Sequence, residues 1–272
     1  MAKKPKTEMS FLEHLEELRW HIIRSVLAVL FFAVMVFIFV QYIFDYVLTA
    51  PQYPDFPTNR ILCHLSTVLH SPSLCINKVP LPLKNFELFG QFSAAMKIAG
   101  IGGFILATPF IVYEFWRFIA PALHENERKN ARGAVFAISG LFFLGVLFGY
   151  FIIAPFTIHF LGTFSVSNSS RVENLISISS FYSSVATSSL ASGLIFELPI
   201  ISYFLTKIGF ITPAFLRKYR RHAVIVILIV AAVISSPDVI TQVLVAIPLL
   251  FLYEISIWVS VSVYKKKEKI DS

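Results

Sequence analysis

Residues 133–158 read GAVFAISGLFFLGVLFGYFIIAPFTI, a continuous run without one charged side chain. An α-helix rises about 1.5 Å per residue, and about 20 apolar residues are needed to cross the roughly 30 Å hydrocarbon core of a bilayer. The run is therefore long enough to span a membrane. It lacks the alternation of apolar and polar residues found in membrane β-barrel strands, so we predict a transmembrane helix.

Other parts of the chain repeat this pattern. Residues 25–44 and 175–196 are also uncharged, and shorter apolar runs lie at 98–113, 223–236 and 239–253. Charged residues make up 14% of the 272-residue chain, against about 25% in soluble domains. We therefore predict an all-α integral membrane protein with a single membrane domain over 1–272. Its six transmembrane helices are expected at about 21–48, 93–117, 132–160, 179–206, 222–236 and 239–258. The last two are short, and a buried helical hairpin is the alternative for that pair.

Lysine and arginine are concentrated in four segments, at about 3–19, 117–132, 207–221 and 265–269. With an even number of spans these segments share one side with both termini, and the positive-inside rule assigns that side to the cytoplasm. The net charge of +7 then reflects membrane anchoring and not nucleic-acid binding. A cleaved signal peptide is the alternative for the first span, but that span is too long and follows an acidic segment.

The segments around the first span have features of their own. Residues 1–20 are predicted to form a cytoplasmic tail that ends in an amphipathic helix at 8–20, and residues 50–92 a long outward loop. The loop holds the only two cysteines of the chain, Cys63 and Cys75. An oxidising exterior would permit a disulfide between them, and two free thiols are the alternative.

Polar side chains inside the predicted spans are candidate functional residues. Glu197 lies within the fourth span, where a carboxyl costs roughly 3 kcal/mol on insertion scales. Such a group suits a contact with another membrane helix or a proton-linked site, and the alternative is a structural hydrogen bond to neighbouring serines. Gln242 carries an amide in a short apolar helix. Asp238 precedes that helix and could cap it.

The predicted cytoplasmic surface is acidic among its basic anchors, with Glu13, Glu16, Glu17, Glu125 and Glu127. Carboxylates form strong and often bidentate hydrogen bonds with guanidinium groups. The surface therefore suits a partner that presents arginines. Ordinary salt bridges to the chain's own Arg19, Arg128 and Lys129 are the alternative.

Catalytic motifs do not occur in the sequence. It contains no Walker loop, no Gly-x-Gly-x-x-Gly and no His-Glu-x-x-His. We expect neither an enzyme nor a metal or cofactor site. A proton-coupled secondary transporter that uses Glu197 is the alternative function, although the inverted repeats of many such transporters are not seen.

Several motifs are similar to those of the TatC family, and they occur in that family's order. They are HLEELR at 14–19, PFIVYEFWRFIAPAL at 109–123 followed by Glu127-Arg128, FELP at 196–199 and SPDVITQ at 236–242. The chain resembles TatC, the polytopic subunit of the twin-arginine protein translocase, over nearly its whole length. The resemblance implies a concave, glove-like bundle of six helices.

The resemblance also implies a function and a set of site residues. Glu17 and Glu127 would receive the paired arginines of signal peptides on folded cargo, with Arg19 and Phe118 shaping that site. Glu197 and Gln242 would contact single-span TatA-type or TatB-type partners, while Pro51, Pro121 and Asp238 would be structural. Transport would use the proton motive force in the bacterial cytoplasmic (inner) membrane, without cofactor, and the chain would form a homo-oligomer within the complex.

Overall fold

The computed structural model describes residues 11–71, 74–119, 131–165, 175–235 and 238–271. The helices are α1 (Phe11–Ile38), α2 (Pro57–Val68), α3 (Gly90–Ile119), α4 (Ala131–Phe148), α5 (Ala154–Thr163), α6 (Ile178–Phe196), α7 (Leu198–Lys207), α8 (Pro213–Lys218), α9 (Arg220–Ile234) and α10 (Val239–Asp271). Two short helical stretches, Val40–Tyr42 and the π-helical Ile43–Leu48, follow α1. A further π-helical segment, Gly149–Ile153, joins α4 to α5.

Long apolar helices dominate this architecture. Five helical stretches of the described chain are long and apolar enough to cross a bilayer: Leu15–Ile38, Gly90–Phe118, Gly133–Thr163, Ile178–Lys207 and Val239–Lys265. This confirms the prediction of an all-α, multi-pass membrane protein. Helix α9 has 15 residues, a rise of about 22 Å, and its role as a sixth span stays a prediction.

The first helix is longer than the sequence patterns suggest. They predict an amphipathic helix at 8–20 and a separate span from about 21, whereas α1 runs unbroken over Phe11–Ile38. No glycine or proline lies within it, so nothing in the backbone interrupts the hydrogen bonding between the two parts. The amphipathic part is therefore a direct continuation of the span in one helix.

Helices α1 and α3 pack side by side in opposite directions. Gly103 approaches Ala33 so closely that a Cβ on the glycine would lie 2.6 Å from the Ala33 backbone, and Gly102 faces Val36. The end of the bundle where α1 begins and α3 ends carries Arg24 and Arg117, and we call it the basic end. The opposite end, which carries residues 50–92, is the loop end.

A second close contact joins α4 to α6. A Cβ at Gly145 would lie 2.6 Å from the carbonyl oxygen of Ser192, and one at Gly149 would lie 2.7 Å from Cα of Ser189. The Gly-x-x-x-Gly spacing favours such close approach of two membrane helices. Because both glycines face backbone atoms, α4 and α6 cannot pack at this distance with larger residues.

The fourth predicted span is interrupted in the half that ends at Lys207. Helix α6 ends at Phe196, Glu197 lies in a turn, and α7 begins at Leu198 with Pro199 in its first turn. Proline lacks the amide hydrogen needed inside a helix and is tolerated only in a first turn. The break places Glu197 at the junction of two helices.

The loop end has an ordered structure of its own. Asn59, which is fully buried, donates to the carbonyl oxygens of Pro51 at 2.9 Å and Tyr53 at 2.8 Å. Asn77 donates to Pro155 O at 3.0 Å and also contacts Pro51 O at 3.3 Å. These amides hold the loop against α5, and the buried Pro51 is their common acceptor.

A disulfide joins Cys63 of α2 to Cys75, with Cα atoms 4.1 Å apart. The crosslink ties α2 to the segment that carries Asn77. The same end contains a two-residue parallel pairing of β1 (Leu83–Lys84) with β2 (Ile176–Ser177), which the sequence patterns did not indicate.

Candidate functional site

A buried ionic contact links α1 to α3 at the basic end. Nδ1 of His21 lies 2.5 Å from Oε2 of Glu114, and the two residues are only 7% and 2% exposed. Glu114 is the only carboxylate within the apolar part of α3. A carboxylate removed from water is costly unless it is paired and hydrogen-bonded, so this contact stabilises the charge where the helices meet.

Two arginines complete the surroundings of this carboxylate. Nη1 of Arg117 donates to Oε1 of Glu114 at 3.1 Å, from one turn further along α3. Nη1 of Arg24 lies 3.8 Å from Oε2. Both arginine side chains are about half exposed. The Glu114 carboxylate is thus engaged by the chain's own cationic groups, while those cations still reach the surface.

The structure places two of the expected signal-peptide-binding residues, Glu17 and Phe118, around this contact. Glu17 is half-buried and precedes His21 by one turn of α1. Phe118 follows Glu114 by one turn of α3, and its ring centre lies 6.0 Å from that of His21. Arg19 is exposed. Glu17 and Phe118 therefore lie close to the His21–Glu114 contact.

Glu17 differs from Glu114 in its partners. Within the described ranges, no ion pair and no hydrogen bond engages the Glu17 carboxylate, although Glu114 is bonded to two side chains. Glu125, Glu127 and Pro121 lie outside the described residues, and so do the side chains of Glu13 and His14.

Neither His21 nor Glu114 is among the site residues predicted from the sequence. Glu114 does carry a recognisable feature, because it is an acidic residue in an apolar stretch, as Glu197 is. In the sequence, Glu114 resembles the edge of a span because Arg117 follows it closely. Its main partner, His21, is 93 residues away in the sequence and cannot be identified from local patterns.

Glu197 and Gln242 differ in their hydrogen bonding. The Glu197 side chain is half-buried, and its Oε1 atom is buried with no hydrogen-bond partner in the described part of the chain. Nε2 of Gln242 donates to the carbonyl oxygen of Leu228 on α9 at 3.1 Å. Of the two residues, Glu197 is the one that leaves a buried polar atom without a bond in the described chain.

Asp238 caps α10. Its Oδ2 accepts hydrogen bonds from the amide of Thr241 at 3.0 Å and from the Thr241 hydroxyl at 2.9 Å. Partial burial acts to raise the pKa of Asp238, but these bonds, the Ile240 amide and the nearby His159 outweigh it and lower the pKa below its usual value. The ionised form of Asp238 is therefore the one that the fold favours.

Among the described residues, no three His, Cys, Asp or Glu side chains are grouped so that they could hold a metal ion. The features of the described chain that bear on function are a bundle of apolar helices, the His21–Glu114 contact at the basic end, an unengaged Glu17 and a broken span at Glu197.

The chain matches a known protein family. A family model described as "Sec-independent protein translocase protein (TatC)" matches residues 13–248. The chain belongs to the TatC family. A TatC of Blattabacterium sp. subsp. Periplaneta americana is 44% identical over 267 residues, covering 97% of this chain and 100% of the relative. A TatC of Halalkalibacterium halodurans is 34% identical, covering 97% of this chain and 94% of the relative.

Solved TatC structures share the fold. A crystal structure described as "Twin Arginine Translocase Receptor- TatC" is 34% identical, with a TM-score of 0.70, and the match covers 92% of this chain and 99% of that one. A second, in the detergent DDM, is 35% identical with a TM-score of 0.71. The chain is therefore a TatC-family subunit of a Sec-independent protein translocase.

Proposed function

We propose that this TatC-family subunit is the receptor for twin-arginine signal peptides of folded cargo. In this proposal its basic end faces the cytoplasm, and it lies in the cytoplasmic membrane of a bacterium. It assembles with single-span TatA-type and TatB-type partners, and with further copies of itself, into a complex that exports cargo by using the proton motive force.

The observation that carries the receptor role is the contrast between Glu17 and Glu114. Both carboxylates lie near the basic end of the α1–α3 interface, but Glu114 is bonded to His21 and Arg117. Glu17 has no such partner among the residues described and stays half-buried. An incoming guanidinium would therefore pair with Glu17 without first displacing one of the chain's own cations.

The chemistry of the ligand follows from this carboxylate. Arginine presents a planar fork of donors that binds carboxylates in a bidentate way, which lysine cannot do. In the proposal Glu127, which follows the motif at 109–123, receives the second arginine of the pair. Exposed Arg19 and the ring of Phe118 border the site and limit which residues can flank the pair.

The partner role rests on Glu197. A buried carboxylate oxygen without a bond, at a break between two helices of one span, favours a polar contact from outside the chain. A single-span helix with a hydroxyl or amide at the matching depth would supply that bond. Gln242, near the loop end of α10, would belong to the same docking region.

An export assay tests the receptor role in cells whose own TatC gene is replaced by this one. The reporter is a folded fluorescent protein with a twin-arginine signal, and the matched control carries two lysines in place of the arginines. We expect export of the arginine form alone, and its loss when an uncoupler collapses the proton gradient. Equal export of both reporters would contradict recognition of the arginine pair.

Site-specific crosslinking tests the partner role. A photoreactive residue at Ile201, which is 48% exposed and one turn beyond Glu197, should crosslink to a single-span partner in membranes. Glu197→Ala should reduce this crosslink, while Glu254→Ala, at an ion pair near the basic end, should leave it unchanged. An undiminished crosslink in Glu197→Ala would exclude the proposed docking contact.

A further inference from the structure

Glu114 and His21 have no assigned role, and they lie between the two helices that carry the proposed receptor residues. We infer that Glu114 is a positioning residue of the receptor site: its bond to His21 fixes the start of α1 against the end of α3 and so holds Glu17 near Phe118. This inference rests on the proposed function, since it concerns the residues that would bind the signal peptide.

Helix geometry connects the buried contact to the site. Residues four apart on an α-helix lie on the same face, about 6 Å from each other. Glu17 and His21 are such a pair on α1, and Glu114 and Phe118 are such a pair on α3. Because the helices are antiparallel, the contact between His21 and Glu114 sets how far Glu17 lies from Phe118. The 6.0 Å distance between the rings of His21 and Phe118 reflects this arrangement.

The apolar packing described between α1 and α3 fixes the position of Glu17 relative to Phe118 less well than this hydrogen bond does. Toward the loop end the helices meet through Ala33 against Gly103 and Val36 against Gly102. Apolar packing of this kind is not directional, and it lies three or more turns from Glu17. The His21–Glu114 hydrogen bond adds a directional contact at the level where the ligand would bind.

The two arginines beside Glu114 also support its role as a positioning residue. Arg117 occupies Oε1 of Glu114 at 3.1 Å and Arg24 lies 3.8 Å from Oε2. With its oxygens engaged, Glu114 does not compete with Glu17 for an incoming guanidinium. The half-exposed Arg24 and Arg117 also disfavour a shallow binding mode in which the peptide's arginines approach Glu114 directly.

Peptide binding to the full-length protein in lipid nanodiscs tests the inference. The probes are two fluorescent synthetic signal peptides, one with an arginine pair and one with a lysine pair, and the readout is the ratio of their affinities. Wild type should prefer the arginine peptide. Glu114→Gln and His21→Leu should reduce that ratio by about tenfold, because bidentate pairing depends on geometry and lysine pairing does not.

Two further variants separate positioning from general stability. His21→Arg places a hydrogen-bond donor opposite Glu114 and should keep the ratio within about twofold of wild type. Glu254→Gln removes a carboxylate from the exposed Arg220–Glu254 ion pair, 2.8 Å long, and should change nothing. If Glu114 contributes only to stability, Glu114→Gln should weaken the binding of both peptides equally and leave the ratio of their affinities unchanged. That result would overturn the inference.

A distance measurement follows the helices without any peptide. Spin labels at Trp20 and Phe115, which are 52% and 55% exposed, report the separation of α1 and α3. We expect a broader distance distribution in His21→Leu than in wild type or His21→Arg, and an unchanged distribution would overturn the inference. If wild type itself does not discriminate between the two peptides, the proposed function fails. If wild type discriminates and both Glu114→Gln and His21→Leu do so equally well, only the positioning role fails.

Discussion

Gly145 of α4 faces the backbone of Ser192 in α6, and a Cβ on this glycine would lie 2.6 Å from the Ser192 carbonyl oxygen. Backbone atoms cannot rotate away as a side chain can. The two helices must therefore move apart to admit any larger residue. This contact therefore limits how far apart α4 and α6 can lie in the bundle.

Gly145→Ala should lower the free energy of unfolding by about 1–3 kcal/mol, the usual cost of adding a methyl group to a packed interface. Gly140, on the same helix, has open space within 4 Å of the position that a Cβ would take. Gly140→Ala is therefore the matched control and should leave stability unchanged or slightly raised. Unfolding in a detergent titration measures both. Equal stability of the two variants would contradict the close packing of α4 against α6.

The His21–Glu114 contact should also be measurable as stability. His21→Leu leaves the Glu114 side chain, which is only 3% exposed, without its shortest hydrogen bond, and the loss of a partner by a buried polar group costs about 1–3 kcal/mol. His21→Arg should recover most of that loss. Thermal unfolding of the purified variants in detergent gives the comparison, and a His21→Leu protein as stable as wild type would mean that Arg117 alone suffices for Glu114.

Asp238 should contribute stability that depends on pH. Asp238→Ala removes the cap of α10 and should cost about 1 kcal/mol at neutral pH. The pKa of Asp238 is lowered in the folded protein, so its stabilisation is fully present above the unfolded value of about 3.9 and is lost as pH falls through the folded value.

The difference in unfolding free energy between wild type and Asp238→Ala should therefore be constant from pH 7 to about pH 5 and shrink below about pH 4. Asp238→Asn is the control, because it keeps an acceptor for the Thr241 amide and has no charge to titrate. A difference that grows as pH falls would contradict the lowered pKa.

The disulfide should stabilise the loop end. Cys63 and Cys75 are 12 residues apart, and a loop of about this length contributes about 3 kcal/mol through restriction of the unfolded chain. Replacing both with serine should increase the rate at which a protease cleaves the 50–92 loop in intact vesicles. Reducing agent should have the same effect on wild type and none on the double variant. Cleavage of wild type that reducing agent does not accelerate would contradict this role.

Patterns within single segments predicted much of the fold. The uncharged run at 133–158 became α4, the π-helical segment and α5, because in lipid a chain must satisfy its own backbone hydrogen bonds. The Gly-x-x-x-Gly spacing at 145 and 149 favours a close helix contact, and α6 provides that contact. Both follow from local properties of the chain.

Contacts between distant segments could not be predicted in this way. Glu114 finds His21 across 93 residues, and Asn77 reaches Pro155 across 78. No periodicity or spacing encodes such partners, since they depend on which helices become neighbours. The motif resemblance supplied the candidate residues Glu17 and Phe118, but only the folded chain relates them to the buried carboxylate between α1 and α3.

In the proposed receptor, Glu17 and Glu127 bind the arginine pair of a signal peptide. The decisive measurement is the binding of a fluorescent twin-arginine peptide to the nanodisc-embedded protein. The double variant Glu17→Gln plus Glu127→Gln is compared with Glu16→Gln, which alters the exposed neighbouring carboxylate. We expect the double variant to lose at least about tenfold in affinity and Glu16→Gln to bind like wild type. Wild-type affinity in the double variant would contradict the receptor role.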